Sequence, residues 1–356
     1  MDKFKAFLKR KNIEISAKRY FVDALGAMAQ GLFCSLLIGT ILKTLGQQIP
    51  FDFLTDIGTY AMAISGPAMA VAIGYALKAD PMVLFSLAAV GWAANAEGGA
   101  GGPLAVLIVA IIAAECGKAV SKETKVDLLV TPGVTILVGV ALSKLIAPPI
   151  GTAASAFGIL IDTATKMQPF LMGIVVSVLV GIALTLPISS AAICAALGLT
   201  GLAGGAAVAG CCAQMVGFAV ISFRDNRWGG LVSQGIGTSM LQMGNIVRNP
   251  RIWIAPIVTS AITGPIATCV FKLQMNGAPI NSGMGTCGLC GPIGVWTGWI
   301  SPSEAAISKG AAVMTPGAMD WIGLALICIV LPAVIAPLLN ALCRKFGWVK
   351  DGDMKI

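Results

Sequence analysis

Two acidic residues, Glu97 and Glu115, lie well inside apolar stretches of the 356-residue sequence. A charged side chain at the centre of a bilayer costs at least ~2.5–3.5 kcal/mol on insertion scales, so such residues are usually functional. Glu115 is followed one helical turn later by Lys118, and an interfacial ion pair accounts for it without a function. Glu97 follows Asn95 and has no basic residue nearby in the sequence. Carboxylates and amides both hydrogen-bond hydroxyl groups, so we predict that Glu97 and Asn95 bind a small polar solute. The alternative is a hydrated Glu97 in an exterior loop.

A second group of candidates lies in the segment 224–251, where polar side chains alternate with apolar ones. We predict that this segment is a cytoplasmic re-entrant loop and that it lines the opposite wall of the same substrate site, with Gln234, Thr238, Ser239, Gln242 and Asn245. The backbone N–H groups of 235–239, with Arg248 and Arg251, form a possible anion contact. As a phosphate motif the spacing is weak, because it lacks the P-loop lysine and the strand context. The alternatives are that the small residues of 235–239 serve close helix packing and that Arg248 and Arg251 are ordinary basic residues flanking a span.

Metal, redox and catalytic chemistry are not indicated. The chain has no histidine, so it can carry neither a phosphohistidine nor a histidine metal ligand. Cys287 and Cys290 have C-x-x-C spacing, which can mean a redox pair or half of a zinc site. Without a second pair we expect close packing, or a disulfide in an external loop, and the other eight cysteines fit as small apolar fillers of the spans. We predict no catalytic residue, no metal and no cofactor.

The composition indicates the environment of these candidates. Hydrophobic residues make up 57% of the chain, charged residues 11%, and the mean hydropathy is +0.88. A soluble domain has roughly a quarter of its residues charged, so the chain is expected in a lipid bilayer. The net charge of +8 includes seven lysines and arginines within residues 1–19. Basic residues before a first span are typical of the cytoplasmic side. We therefore predict a multi-pass protein of the bacterial cytoplasmic membrane with no nucleic-acid partner.

The hydropathy pattern predicts an all-α polytopic membrane protein with about ten transmembrane helices and both termini cytoplasmic. A helix needs ~20 apolar residues to cross the bilayer core. The candidate spans are 20–44, 57–78, 103–120, 127–147, 167–186, 204–222, 252–272 and 318–342. Two shorter stretches, 81–96 and 187–202, either cross as broken helices or re-enter. Crossing is favoured because it leaves the basic clusters of the chain on one side.

Two halves of the sequence resemble each other. VAIGYALKADP at Val71–Pro81 matches VLVGIALTLP at Val178–Pro187, and a small-residue stretch follows each. We predict a single membrane domain, 20–342, with a first repeat at 57–148, an interfacial linker at 150–166 and a second repeat at 167–273. A Gly-rich loop at 276–300, the last span and a cytoplasmic tail at 343–356 follow. Repeated apolar segments broken by Gly and Pro are typical of secondary transporters, whose substrate sites form where the repeats meet.

The run GGLVSQGIGTSMLQMGNIVRNPRIWIAPIVTSAITGPI at Gly229–Ile266, together with the repeated spans, resembles the membrane IIC component of phosphotransferase-system sugar permeases. More narrowly, it is similar to the IIC-like branch that includes PfoR-type regulatory membrane proteins. The resemblance implies a homodimeric inner-membrane permease that binds a sugar at mid-membrane and presents it to a cytoplasmic IIB protein. Because this chain has no histidine and no IIA or IIB domain, any phosphotransfer needs separate IIA and IIB proteins.

We therefore predict a permease, and not an enzyme, that binds a small polar solute such as a sugar and translocates it by alternating access. A sensor or regulator that binds the solute without transport is the alternative. A lipid-active or purely structural membrane protein is a third possibility, and a cavity open to lipid would favour it.

Overall fold

The computed structural model describes residues 2–356, with side chains from residue 5 onward. It forms two compact units, the first ending at Ala154 and the second comprising Ser155–Ile356. The described residues contain helices and turns, with one isolated β-bridge between Gly201 and Met275.

The first unit contains seven helices, the last of which continues into the second unit. They are α1 (Asp2–Arg10), α2 (Arg19–Gln48), α3 (Asp52–Ala63), α4 (Ser65–Ala76), α5 (Pro81–Gly98), α6 (Gly102–Val120) and α7 (Asp127–Thr165). Helices α3 and α4 are bent by 51° where they meet.

The second unit contains nine further helices. They are α8 (Pro169–Thr185), α9 (Ser190–Ala196), α10 (Gly201–Ile221), α11 (Phe223–Val232), α12 (Met243–Arg248), α13 (Pro250–Val270), α14 (Cys290–Ile300), α15 (Glu304–Ile307) and α16 (Ala318–Lys345). Helix α10 is the centre of this unit: α8, α13 and α16 pack around it, and 17 of its 21 residues are buried.

Within the described residues, six helical stretches are long and apolar enough to cross a membrane, or seven if the bent pair α3–α4 is one span. One of the six, Pro81–Val120, is a hairpin, because Gly102 lies against Asn95 and Gly117 lies against Val83. Its arms are α5 and α6, each about 27–28 Å long. This count confirms the predicted all-helical, multi-pass architecture. It does not confirm the predicted ten spans.

The two short stretches differ from each other. Residues 81–96 lie within the unbroken helix α5, so the expected unwinding is wrong there. Residues 187–202 contain the seven-residue helix α9, with turns on both sides, and end in the first residues of α10.

The linker expected at 150–166 is not a separate helix. Helix α7 passes through Pro148 and Pro149 and continues to Thr165. Proline removes a backbone donor and leaves a carbonyl one turn earlier without its partner. Thr152 Oγ1 donates to the Pro148 carbonyl at 3.0 Å, a side-chain contact that supports the helix just beyond the prolines.

Close helix packing in both units depends on glycine. Gly66 of α4 and Gly91 of α5 lie back to back, and Gly210 of α10 lies against the Ser177 carbonyl of α8. There is no room for a Cβ at these contacts. Small residues of this kind let helix backbones approach closely in a bilayer, where the hydrophobic effect does not drive helices together.

Candidate functional site

Glu97 lies at the end of α5 in the first unit and forms an ion pair with a residue distant in sequence. Lys144 Nζ of α7 is 3.0 Å from Glu97 Oε1, and 38% of the Glu97 side chain is exposed. The sequence showed no cation near Glu97 because Lys144 is 47 residues away. An exposed pair of this kind contributes ~0–1 kcal/mol. Glu97 is therefore a neutralised, accessible carboxylate in this conformation.

Asn95 is half-buried on α5, two residues before Glu97. Its side chain lies against Gly66 of α4 and Gly102 of α6. These contacts position the amide inside the first unit, between two glycines that leave room for it. The role of Asn95 and Glu97 in solute binding stays a prediction.

The second unit brings together the amide side chains that the sequence singled out. We call Gln234, Gln242 and Asn245 the amide cluster. Gln242 Nε2 donates to Gln234 Oε1 at 2.9 Å, and Asn245 Nδ2 donates to Gln242 Oε1 at 2.8 Å. Gln234 Nε2 in turn donates to Ser222 Oγ at 2.7 Å and to the Gly230 carbonyl at 3.0 Å. The three residues form one buried hydrogen-bonded chain.

The amide cluster is closed by the segment 348–356, which we call the sealing segment. The Met354 carbonyl accepts from Gln242 Nε2 at 2.9 Å and from Asn226 Nδ2 at 2.7 Å. The Lys355 carbonyl accepts from Asn245 Nδ2 at 2.9 Å. The Met354 residue is completely buried. The backbone carbonyls of the chain thus occupy positions where oxygen atoms of a polar solute would meet the amides.

Further contacts hold the sealing segment from the other side. Asp225 accepts from the backbone N–H groups of Gly352 at 3.0 Å and Met354 at 3.2 Å. Asn249 Nδ2 donates to the Trp348 carbonyl and to Asp353 Oδ2, both at 2.9 Å. Polar groups of α11 and of the turn after α12 therefore hold the sealing segment. They bind its backbone atoms more than its side chains.

A second buried network lies beside the amide cluster, centred on Gln214 in the middle of α10. Trp253 Nε1 donates to Gln214 Oε1 at 2.8 Å, and Gln214 Nε2 donates to Ser260 Oγ at 3.2 Å. Thr185 Oγ1 lies 3.4 Å from Gln214 Oε1 and 2.8 Å from Ser239 Oγ. Ser239 thereby links the segment 224–251 to helices α8, α10 and α13.

Sequence reasoning missed Gln214. The available signal was one amide in a 21-residue apolar helix, which needs a buried polar partner. Thr238, which was predicted to line the site, has a local role: its Oγ1 accepts from the Met240 N–H at 3.1 Å and caps the following turn. Arg248 and Arg251 are exposed at the end of α12 and in the first turn of α13. Their proposed contact with an anion stays a prediction.

The broken segments of the second unit meet one another. Gly201 and Met275 exchange two backbone hydrogen bonds of 3.0 Å. Ser190 Oγ of α9 donates to the Gly283 carbonyl at 2.7 Å. Lipid cannot satisfy unwound backbone, so such backbone must be buried in protein or line a wet cavity. Here the Gly-rich loop and the turns around α9 satisfy each other.

The chemistry of the buried site is neutral hydrogen bonding. Asn and Gln amides supply both donors and acceptors, and hydroxyl groups match both. No group of three or more histidine, cysteine or acidic residues that could hold a metal ion occurs among residues 2–356. Cys287 and Cys290 are both buried. The amide cluster and the Gln214 network are suited to a neutral polar molecule. In the first unit, Glu97 is the charged residue among the predicted solute contacts.

Comparison with known proteins agrees with this description. A model of the EIIC proteins of the phosphotransferase system matches residues 22–356, which include most of both units. No curated protein and no solved structure matches the chain. EIIC proteins are membrane components of sugar transport, in agreement with the apolar helices of both units. The chain belongs to the EIIC family of the phosphotransferase system.

Proposed function

We propose that this EIIC protein binds a neutral sugar or sugar-like solute at the amide cluster of the second unit and translocates it by alternating access. One observation carries the proposal. The amide cluster is buried and contains no charged side chain, and its outward-facing amides are satisfied by backbone carbonyls of the sealing segment. Sugar hydroxyls can replace those carbonyls one for one as hydrogen-bond partners.

Glu97 and Asn95 belong to the proposal as further solute contacts in the first unit. A carboxylate accepts strong hydrogen bonds from hydroxyl groups. To do so, Glu97 exchanges its contact with Lys144 for a contact with the solute. An exposed ion pair is weak enough for that exchange.

The proposal further places the chain in a homodimer within a bacterial cytoplasmic membrane, with both termini inside. Phosphorylation of the solute is assigned to separate IIA and IIB proteins, since the chain has no histidine. Alternating access is proposed on the basis of the predicted sequence repeat, in which α4, α5, α6 and α7 would correspond to α8, α9, α10 and α13.

A sensor function, as in the PfoR-type branch, is the second candidate, and the sealing segment favours it. A solute that replaces the carbonyls of Met354 and Lys355 releases the segment and changes the surface of the protein. Such a release is a conformational signal that needs no flux.

Uptake and binding assays with purified protein in liposomes separate the two functions. The probes are radiolabelled glucose, mannitol and maltose, without phosphoenolpyruvate or a IIB protein. Uptake of one probe that is lost in Gln242→Ala supports the permease, and binding without uptake supports the sensor. The matched control is Gln48→Ala, because Gln48 is an exposed amide at the end of α2. Binding that is unchanged in Gln242→Ala removes the amide cluster from the site.

A further inference from the structure

The first unit has a strongly basic end built from three parts of the chain. Residues 5–19, the turn at 77–80 and the turn at 118–123 surround two adjoining cavities of about 270 and 370 Å³. The cavities share Asn12 and Lys78. Eight basic and three acidic residues line them: Lys5, Lys9, Arg10, Lys11, Arg19, Lys78, Lys118, Lys122, Glu14, Asp80 and Glu123. The lining therefore carries a net charge of +5.

Buried contacts hold this basic end in one arrangement. Lys118 is 3% exposed, and its Nζ donates to the carbonyls of Asn12 at 2.8 Å and Leu77 at 2.9 Å. It also pairs with Glu115 Oε2 at 2.8 Å. Arg19 donates to the same Leu77 carbonyl at 2.7 Å. The segment after α1 and the turn before Lys78 are thus fixed to each other by charged donors.

The cations on the cavity walls are only partly neutralised. Glu123 pairs with Arg10 at 2.6 Å and with Lys11 at 2.5 Å, and Asp80 pairs with Lys122 at 2.8 Å. The hydrogen bond from Lys122 keeps the pKa of Asp80 below its usual value, so this carboxylate stays ionised and engaged.

Lys78 is the basic residue common to both cavities. It is exposed, its backbone has a φ of +56°, and within the described residues its side chain has no ion-pair partner. A lysine in the left-handed region is uncommon and is retained only when its surroundings hold it there. The turn therefore presents an uncompensated ammonium group to both cavities.

An apolar groove adjoins the basic cavities. A third cavity, of about 370 Å³, is lined by Ile15, Ile111, Ile112, Cys116 and Ala119, with Tyr20 and Glu115 at its polar part. Glu14 and Arg19 line a basic cavity, while their chain neighbours Ile15 and Tyr20 line the groove. The basic end and the groove are thus two faces of the same short segment.

We propose that this end of the first unit binds an anionic phospholipid. The phosphate headgroup lies in the basic cavities against Lys78, and one acyl chain lies in the groove against Ile15 and Ile112. The groove runs along the membrane-spanning stretch of α6. A soluble phosphate has no acyl chain and therefore would not occupy it. Basic pockets at the ends of membrane helices are suited to anionic headgroups, since both charge and apolar contact contribute.

The test is lipid binding to the full chain purified in detergent. The probes are phosphatidylglycerol, phosphatidylcholine of the same chain length, and glycerol 3-phosphate as the headgroup without acyl chains. We expect retention of phosphatidylglycerol in native mass spectra and about tenfold weaker binding in Lys78→Glu. The matched control is Lys125→Glu, an equal charge change at an exposed lysine that does not line the cavities, with an expected change below twofold.

A second variant guards against misfolding. Lys78→Asn removes the charge, and asparagine tolerates the left-handed backbone, so this variant is expected to fold and still lose phosphatidylglycerol. Equal losses in the Lys78 and Lys125 variants would show general charge attraction and overturn the site. Equal binding of phosphatidylcholine would also overturn it. Displacement of phosphatidylglycerol by glycerol 3-phosphate would identify a site for a soluble phosphate instead.

Discussion

The two units hold their polar side chains by opposite physical means. In the first unit the contacts are mostly ion pairs, which are accessible for Lys144 with Glu97 and for Lys122 with Asp80 and largely buried for Lys118 with Glu115. In the second unit they are neutral amides buried in one hydrogen-bonded chain. Exposed charges contribute little and exchange partners easily. Buried amides are costly to leave without partners. The exposed pairs of the first unit therefore exchange partners easily, whereas the amide contacts of the second unit are costly to break.

The largest effect is expected where a buried amide is removed. Gln242→Ala leaves Gln234 Oε1 without its donor and removes one partner each from Asn245 and the Met354 carbonyl. We expect a loss of about 2–4 kcal/mol in the free energy of unfolding. Unfolding in mixed micelles titrated with a denaturing detergent measures it, with Gln48→Ala as the control. A loss no larger than that of the control would contradict the buried network.

A smaller loss is expected for the neighbouring network. Gln214→Leu fits an apolar helix in size, and it leaves Trp253 Nε1 without an acceptor. We expect a loss of about 1–3 kcal/mol, together with a change in tryptophan fluorescence. Leu202→Ala in the first turn of the same helix provides a reference for truncation at a position that is not fully buried. An unchanged fluorescence spectrum in Gln214→Leu would argue against the Trp253 contact.

The ion pair of the first unit should tolerate substitution. Glu97→Gln is expected to change the free energy of unfolding by less than about 1 kcal/mol, because the pair is exposed. If Glu97 also binds solute, the same variant loses binding while it stays folded. Binding at the wild-type level in Glu97→Gln would remove Glu97 from the site. Lys144→Gln distinguishes the two roles, since it frees the carboxylate without removing it.

Acidification provides the mildest test of the difference between the units. Hydrogen bonds from Lys122 and Lys11 hold the pKa values of Asp80 and Glu123 below their usual range. Their contribution to stability is therefore fully present above the unfolded-state pKa values, near 4. It is lost as the pH falls through the lower folded-state values. Hydrogen exchange between pH 6 and pH 3 should show loosening at residues 118–123 before the amide cluster, whose amides do not titrate. Simultaneous loosening of both would contradict this order.

Much of the fold could be predicted from the sequence, because hydropathy alone determines which stretches are apolar helices. The helices at Gly201–Ile221 and Ala318–Lys345 lie close to their expected positions. The continuation of α7 past Pro148 could not be predicted, since a pair of prolines usually ends a helix. Just beyond the prolines, Gly151 of α7 lies against the Gly98 carbonyl of α5, a close contact that the sequence does not reveal.

The candidate site was only partly predictable. The amides of 234–245 were recognisable because polar residues among apolar ones need partners. Their actual partners, the carbonyls of Met354 and Lys355, carry no sequence signal, because every residue has a carbonyl. Lys144 could not be assigned to Glu97 for a similar reason, since a pairing across 47 residues depends on how α7 packs.

The sealing segment has an evolutionary consequence. The residues that hold the sealing segment bind its main-chain carbonyls and N–H groups from Trp348 to Ile356. Among the apolar side chains of the segment, Met354 is fully buried. Natural selection is therefore expected to act on the number of residues between α16 and Met354 more strongly than on their identity. Homologous chains are therefore expected to vary freely at exposed positions such as Lys355 while insertions and deletions in this interval are rare.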